Sequence, residues 1–161
     1  MSAQSERPMG TVVIIQWTTW EREEWEHEGK FYNIMENWYK HLPPELEQRY
    51  HEWIKLLNPD DLAEKSRILH DKIYDLHCVL KTKNIPHLFF NGNNHFEGLL
   101  DQRDWGVNYM NPYDSNLTYD AILRQTGYKT VNEKSWHFGE DAHRFWAQFM
   151  LKYVYANNLI S

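Results

Sequence analysis

The sequence predicts an α/β fold built on a parallel sheet, and three observations carry that reading. Thr11-Val12-Val13-Ile14-Ile15-Gln16 is a continuous β-branched run without polar alternation, the pattern of a strand buried on both faces. Ile85-Pro86-His87-Leu88-Phe89-Phe90-Asn91 is a second apolar run, with proline at its start, where no ladder hydrogen bond is needed. A long helical pattern lies between them, as a parallel crossover requires.

That crossover starts at Asn58-Pro59-Asp60-Asp61: a capping Asn, proline at the first helical position, then two acids. Leu62, Ser66, Leu69, Ile73, Leu76 and Leu80 follow at spacings of four and three, which predicts a helix over 60–83. Cys78 falls inside this pattern and reads as a small packed residue. As the single cysteine it excludes an internal disulfide. His70 and His77 share a face, but two histidines without a third ligand do not make a metal site.

Ahead of this helix, Pro43-Pro44 opens another, with Leu46, Tyr50, Trp53, Ile54 and Leu57 as its apolar stripe. Glu21 to Glu28 holds five glutamates and reads as a solvated face, and 31–42 reads as aromatic and irregular. Residues 1–10 are polar and read as a tail. Beyond the second strand, Asn91-Gly92-Asn93-Asn94-His95 is a sharp turn. Val107-Asn108-Tyr109 is a possible short strand. Asp114 or Ser115 can cap a helix over 116–125, with Gly127 just past its end.

The last helix is the most strongly patterned. Ala142, Phe145, Trp146, Phe149, Met150, Tyr153 and Val154 line one face, Glu140 and Asp141 occupy the first turn, and Asn157-Asn158 closes the end. His137 stands just before it.

Composition bounds the function. A net charge of −6 argues against a nucleic-acid partner, whose phosphates need a basic stripe. No apolar run is long enough for a membrane helix, and no signal-peptide core is present. Eight Trp and ten Tyr suit a core, but also contact with sugar-like ligands; Trp17, Trp20, Trp25 and Trp136 are the candidates for such a surface. In open α/β sheets, ligands bind at the carboxyl ends of strands. That places Gln16, Trp17, Thr18 and Arg22 after the first strand, and Asn91 and His95 after the second, on one expected site with His137.

Two blocks resemble a known family. His137-Phe138-Gly139-Glu140-Asp141-Ala142-His143, followed by an aromatic helix, resembles the last block of SGNH (GDSL-type) hydrolases, where a catalytic His is followed six residues later by a second. The stretch 11–25 resembles the third-strand block of a bacteriophage or cyanophage branch of that superfamily. The resemblance implies a three-layer, flavodoxin-like single domain and an ester-hydrolysing site for an acylated carbohydrate or lipid, with no cofactor and no metal. It implies that His137 is the general base and His143 a supporting residue. Glu133 is the candidate orienter, because Lys134 stands where the family has Asp. Thr18 falls at an oxyanion-hole position, and Gln16, Trp17, Arg22, Asn91, His95 and Trp136 would contact substrate.

The family's nucleophilic serine lies on an earlier strand, and no serine here follows a suitable strand. The expectation is therefore the C-terminal part of such a domain, lacking its N-terminal strands and inactive alone, since a triad without its nucleophile forms no acyl-enzyme. The alternative is a non-catalytic virion or carbohydrate-binding structural protein on the same scaffold. A phage origin would place either in the host cytoplasm or the virion. The hydrophobic first strand, 11–16, should keep one edge free or pair with another copy.

Overall fold

The computed structural model describes residues 11–18, 22–35, 39–57, 59–133, 135 and 137–160. The chain forms two compact units: one takes residues up to Thr18 and from Tyr74 onward, the other runs from Thr19 to Ile73. The fold is mixed α/β, with a small parallel sheet.

In the first unit β1 (Val13–Trp17) pairs in parallel with β4 (His87–Asn91), in register from Val13 opposite His87 to Trp17 opposite Asn91. The Val13 N–H donates to the Pro86 carbonyl at 2.9 Å, and the Gly92 N–H donates to the Trp17 carbonyl at 2.7 Å. In a parallel strand the main-chain groups of alternate residues face alternate sides. Val13, Ile15 and Trp17 therefore face β4, and Ile14 and Gln16 face the other edge, which no strand pairs among the described residues. The expectation that both faces of this run are buried is corrected. All five residues of β4 are buried, but β1 alternates, with Ile14 at 46% exposure and Gln16 exposed.

The two faces of β4 meet different partners. Leu88 and Phe90 enter a core with Met110, Ile122, Leu123, Phe138, Trp146, Met150 and Val154. Those residues come largely from α3 (Tyr119–Gln125) and α4 (Glu140–Ala156). His87 and Phe89 point the other way, against His77, Trp105 and Tyr109. His77 lies on α2 (Pro59–Thr82), which matches the expected crossover helix to within a residue at each end; its Asn58 cap lies outside the described residues. The deepest α2 side chains are His70, Ile73 and His77 instead of the leucines, and Cys78 is exposed, not packed. The expected strand at 107–109 is a one-turn 3-10 helix (Gly106–Asn108), followed by a single parallel bridge from Tyr109 to Phe89. Asp114 caps another one-turn 3-10 helix (Ser115–Leu117), and Thr118, whose Oγ1 accepts from the Ala121 N–H, caps α3. Gly127 follows α3 at φ 90, and Asn158 follows α4 at φ 52, the left-handed residues expected past helix ends.

His77 and His87 form a buried pair, His77 Nδ1 to His87 Nε2 at 2.9 Å, with His87 Nδ1 on the Ile85 carbonyl at 2.8 Å. A carbonyl can only accept, so His87 Nδ1 carries a proton. Its Nε2 in the neutral ring then accepts from His77 Nδ1–H. Burial, the His87 ring and Lys81 hold His77 below its usual 6.5, against the opposing pull of Asp104.

The second unit holds an antiparallel hairpin, β2 (Glu23–His27) and β3 (Lys30–Ile34). Glu28 and Gly29 link the strands at φ 49 and 74, two positive values that match the right-handed strand twist. Trp25 and Ile34 pack with Leu46, Tyr50 and Trp53 of α1 (Pro44–Leu56). The solvated-face reading of 21–28 thus holds for Glu24 and Glu26 but not for Glu23. Glu23 Oε1 accepts from Trp53 Nε1 at 2.8 Å and Lys65 Nζ at 2.7 Å, and Oε2 accepts from Trp25 Nε1 at 2.8 Å. Burial opposes its ionisation, but the Lys65 ammonium and the two indoles outweigh that and hold the carboxyl below its usual 4.5.

Two outcomes follow. Glu23→Ala strands two indole donors and should cost about 1–3 kcal/mol in urea denaturation. Because the folded pKa lies below the unfolded one, the Glu23 contribution is full above the usual carboxylate value and fades as pH falls through the folded value. For His77 the folded pKa is also lowered. Below 6.5 the unfolded chain takes up a proton that the fold refuses, so stability declines as pH falls toward the folded value. His77→Gln, which keeps a donor for His87, should flatten that decline between about pH 7 and about pH 5.

Candidate functional site

The carboxyl ends of β1 and β4 bring Trp17 and Asn91 side by side, as their register requires. The chain then turns at Gly92, where close approach crowds any added Cβ. A Cβ there would stand 2.7 Å from Gln16 Nε2 and 3.2 Å from the Trp17 carbonyl. Gln16, on the exposed face of β1, thus lies across the start of the Asn91–His95 turn. Trp17 packs edge-on to Phe89, with ring centroids 5.5 Å apart, and its indole N–H is sealed from solvent without a partner among the described residues. Thr18 is exposed.

Asn91 is buried, and its Oδ1 accepts from the Tyr109 hydroxyl at 2.6 Å. Tyr109 is buried too, and burial, with Tyr113 nearby, pushes its phenol far above the usual range despite that hydrogen bond. The hydroxyl therefore stays protonated. His95 is partly exposed; its Nδ1 is sealed and lies 3.7 Å from Glu97 Oε2, too long for a hydrogen bond.

A chain of contacts joins this turn to the C-terminal block. The Asp120 N–H donates to the Gly92 carbonyl at 2.8 Å, which latches the start of α3 onto the turn. Asp120 is held in a paired contact with Arg124, at 2.7 and 3.0 Å. Tyr119 beside it meets Phe138 edge-on at 5.7 Å and stacks with His143 at 6.2 Å, its hydroxyl 3.2 Å from His143 Nδ1. Phe138 is buried, and its strand-like bridge to Thr130 positions the segment ahead of α4.

His137, one residue earlier, is exposed. Its main chain is well held: the carbonyl accepts from the Val131 N–H at 2.9 Å, and the N–H donates to Ser135 Oγ at 3.0 Å. Its imidazole makes no hydrogen bond among the described residues, to Glu133 or to any serine, and Glu133 is exposed. His143, the supporting residue of the resemblance, is exposed as well, because its position on α4 falls beside the buried Ala142 and Trp146 face, not within it. Trp25 leaves the expected aromatic surface, being a core residue of the second unit. Arg22 is exposed in that second unit, ahead of β2. Trp20, Lys134 and Trp136 lie outside the described residues.

Comparison with family models, with curated proteins and with solved structures finds no match to this chain. Function has to rest on the site itself. No group of three or more metal-ligating side chains occurs among the described residues.

Sequence reasoning missed Tyr109, Tyr119 and Asp120. The signal that could have found the last two was Thr118, a capping residue directly before Tyr119, where Asp114 caps a separate turn. Tyr109 had no local signal, since its bond to Asn91 spans 18 residues.

The Gly92 contact is testable. Gly92→Ala should lower stability by about 1–3 kcal/mol, as overpacking does. Pairing it with Gln16→Ala should recover part of that loss in a double-mutant cycle, because the 2.7 Å clash is removed and the 3.2 Å one remains.

Proposed function

We propose that this chain is an SGNH-hydrolase-like domain of three-layer, flavodoxin-like design that binds an acylated carbohydrate or lipid at the carboxyl end of β1 and β4, without hydrolysing it. The observation that carries the reading is the convergence at one sheet end. Gln16, Trp17 and Asn91 end the strands, Gly92 makes the turn, and Asp120 ties the turn to the block that holds Phe138 and His143. That end offers amide donors beside aromatic rings, the mixture that suits a sugar or acyl ligand.

The non-catalytic form is favoured by the surroundings of His137. A general base needs the hydroxyl it activates within hydrogen-bond reach. The Ser135 hydroxyl instead serves the main chain of His137. In this reading His137 lines the rim as a polar contact, and the protein acts as a carbohydrate- or lipid-recognising component, in the host cytoplasm or on the virion of a phage. No helix among the described residues is long and apolar enough to cross a membrane.

Titration of the labelled protein with an acetylated sugar, followed by amide NMR, should move Gln16, Gly92, Tyr119 and His143 together and saturably. The purified chain should show no saturable turnover of p-nitrophenyl acetate. His137→Ala should change unfolding free energy by no more than about 0.5 kcal/mol, as at other exposed positions. Turnover that vanishes in His137→Ala would replace the binding reading with the hydrolase one, and a loss of at least about 10²-fold is the size expected for a general base.

A further inference from the structure

The orientation of the Asn91 side chain is dictated from behind. Its side chain is 3% exposed, and Oδ1 is taken by the Tyr109 hydroxyl at 2.6 Å. The direction of that bond follows from what the phenol needs. Tyr109 has one proton to place in a buried setting, and Asn91 Oδ1 is the acceptor it reaches. Turned round, the amide would point its own N–H groups at the phenol, and the hydroxyl proton would be left without an acceptor, at a cost of about 1–3 kcal/mol. Oδ1 therefore faces Tyr109 and Nδ2 faces away.

Nδ2 donates to nothing among the described residues. A buried amide with one end anchored and the other without a partner among the described residues is a fixed hydrogen-bond donor. Its neighbour in register is Trp17, and the next residue is Gly92, with the Gln16 side chain against it.

We propose that Asn91 recognises a carbonyl or carboxylate oxygen of the ligand through Nδ2, and that Tyr109 is the positioning residue that gives the site this donor polarity. The inference rests on the binding reading above and deepens it. It selects ligands that present an acceptor oxygen, such as the ester carbonyl of an acyl group or a free carboxylate, over ligands that present only a donor. The amide cannot turn to suit a donor without stranding the Tyr109 proton. Because the phenol stays protonated, the preference should not change between about pH 6 and about pH 9, below the ordinary tyrosine range.

The test reads the Asn91 side-chain amide directly. Its two N–H resonances, assigned by their loss in Asn91→Asp, are followed in the intact chain during separate titrations. The probes are methyl acetate, sodium acetate, methylammonium chloride and an acetylated sugar. Methyl acetate and acetate separate the ester source of the acceptor oxygen from the acid. Saturable shifts with either of them, and none with methylammonium, are expected. Tyr109→Phe keeps the ring and removes the anchor, so its preference for acceptor over donor probes should fall at least about threefold while its fold, read by amide NMR, persists. Asn91→Asp keeps an acceptor for Tyr109 but offers no donor, and should weaken the acetate response by about tenfold or more, one hydrogen bond's worth. Unmoved Asn91 resonances, or an equal response to methylammonium, would overturn the proposal. If the acetylated sugar still moves Gln16 and Gly92 in that case, only the role of Asn91 falls. If it moves nothing, the binding reading falls with it.

Discussion

The parallel register of β1 on β4 is the constraint on which the first unit depends. It is pinned at both ends by main-chain hydrogen bonds, Val13 to Pro86 and Gly92 to Trp17. Pro86 has no N–H to give, but at the edge of the strand only its carbonyl is needed. A slip of one residue in β4 would turn every side chain to the opposite face. Leu88 and Phe90 would leave the aromatic face of α4, and the His87 imidazole would enter an apolar core with no partner. The buried histidine pair and the Phe90–Trp146 contact are thus two consequences of one register.

The polar end of the sheet follows from the same pairing. Apolar strands bury their middles, but the last residues must hand the chain to turns, where main-chain groups and short polar side chains take over. Here the hand-over is tight. Gly92 donates to Trp17 and its carbonyl accepts from Asp120, so both of its main-chain groups are used within the first unit. The helix that supplies Asp120 starts at that point because Thr118 caps it, and Tyr119 then lies against Phe138 and His143. A short helix of seven residues would be marginal alone. Its cap, its latch to Gly92 and the burial of Ile122 and Leu123 hold it.

The second unit is organised around a charge. Glu23 lies in an acidic run that looks like solvated surface, yet three donors from β2, α1 and α2 converge on its two oxygens. The flanking Glu24 and Glu26 are exposed, which is the alternation of a strand with one face in the core. Glutamate has little preference for strands, so the run conceals that period. The reading of 21–28 as a solvated face and 31–42 as irregular missed this hairpin; its local sign is the Glu28-Gly29 pair, because a two-residue turn with both φ positive favours glycine.

By itself the sequence determined the elements whose signals are local. The two apolar strands, the Pro44 and Pro59 helix starts, the amphipathic α4 and the Gly127 and Asn158 helix ends all arise from residues within a few positions of one another. Tertiary structure decided what depends on distant partners. Whether β1 is buried on two faces or one depends on what lies beside it, and its local pattern does not record that no strand among the described residues pairs its other side. The depth of His77 on α2 was settled by its hydrogen bond to His87, since a histidine with a satisfied ring nitrogen can lie in the interior. His143 is exposed and Trp25 buried for the same reason, that helix phase and strand phase are set by packing. At the site, the turn at Asn91 was readable, but the direction of its amide was not. Only the buried hydroxyl of Tyr109, brought up across 18 residues, decides which end of that amide is anchored.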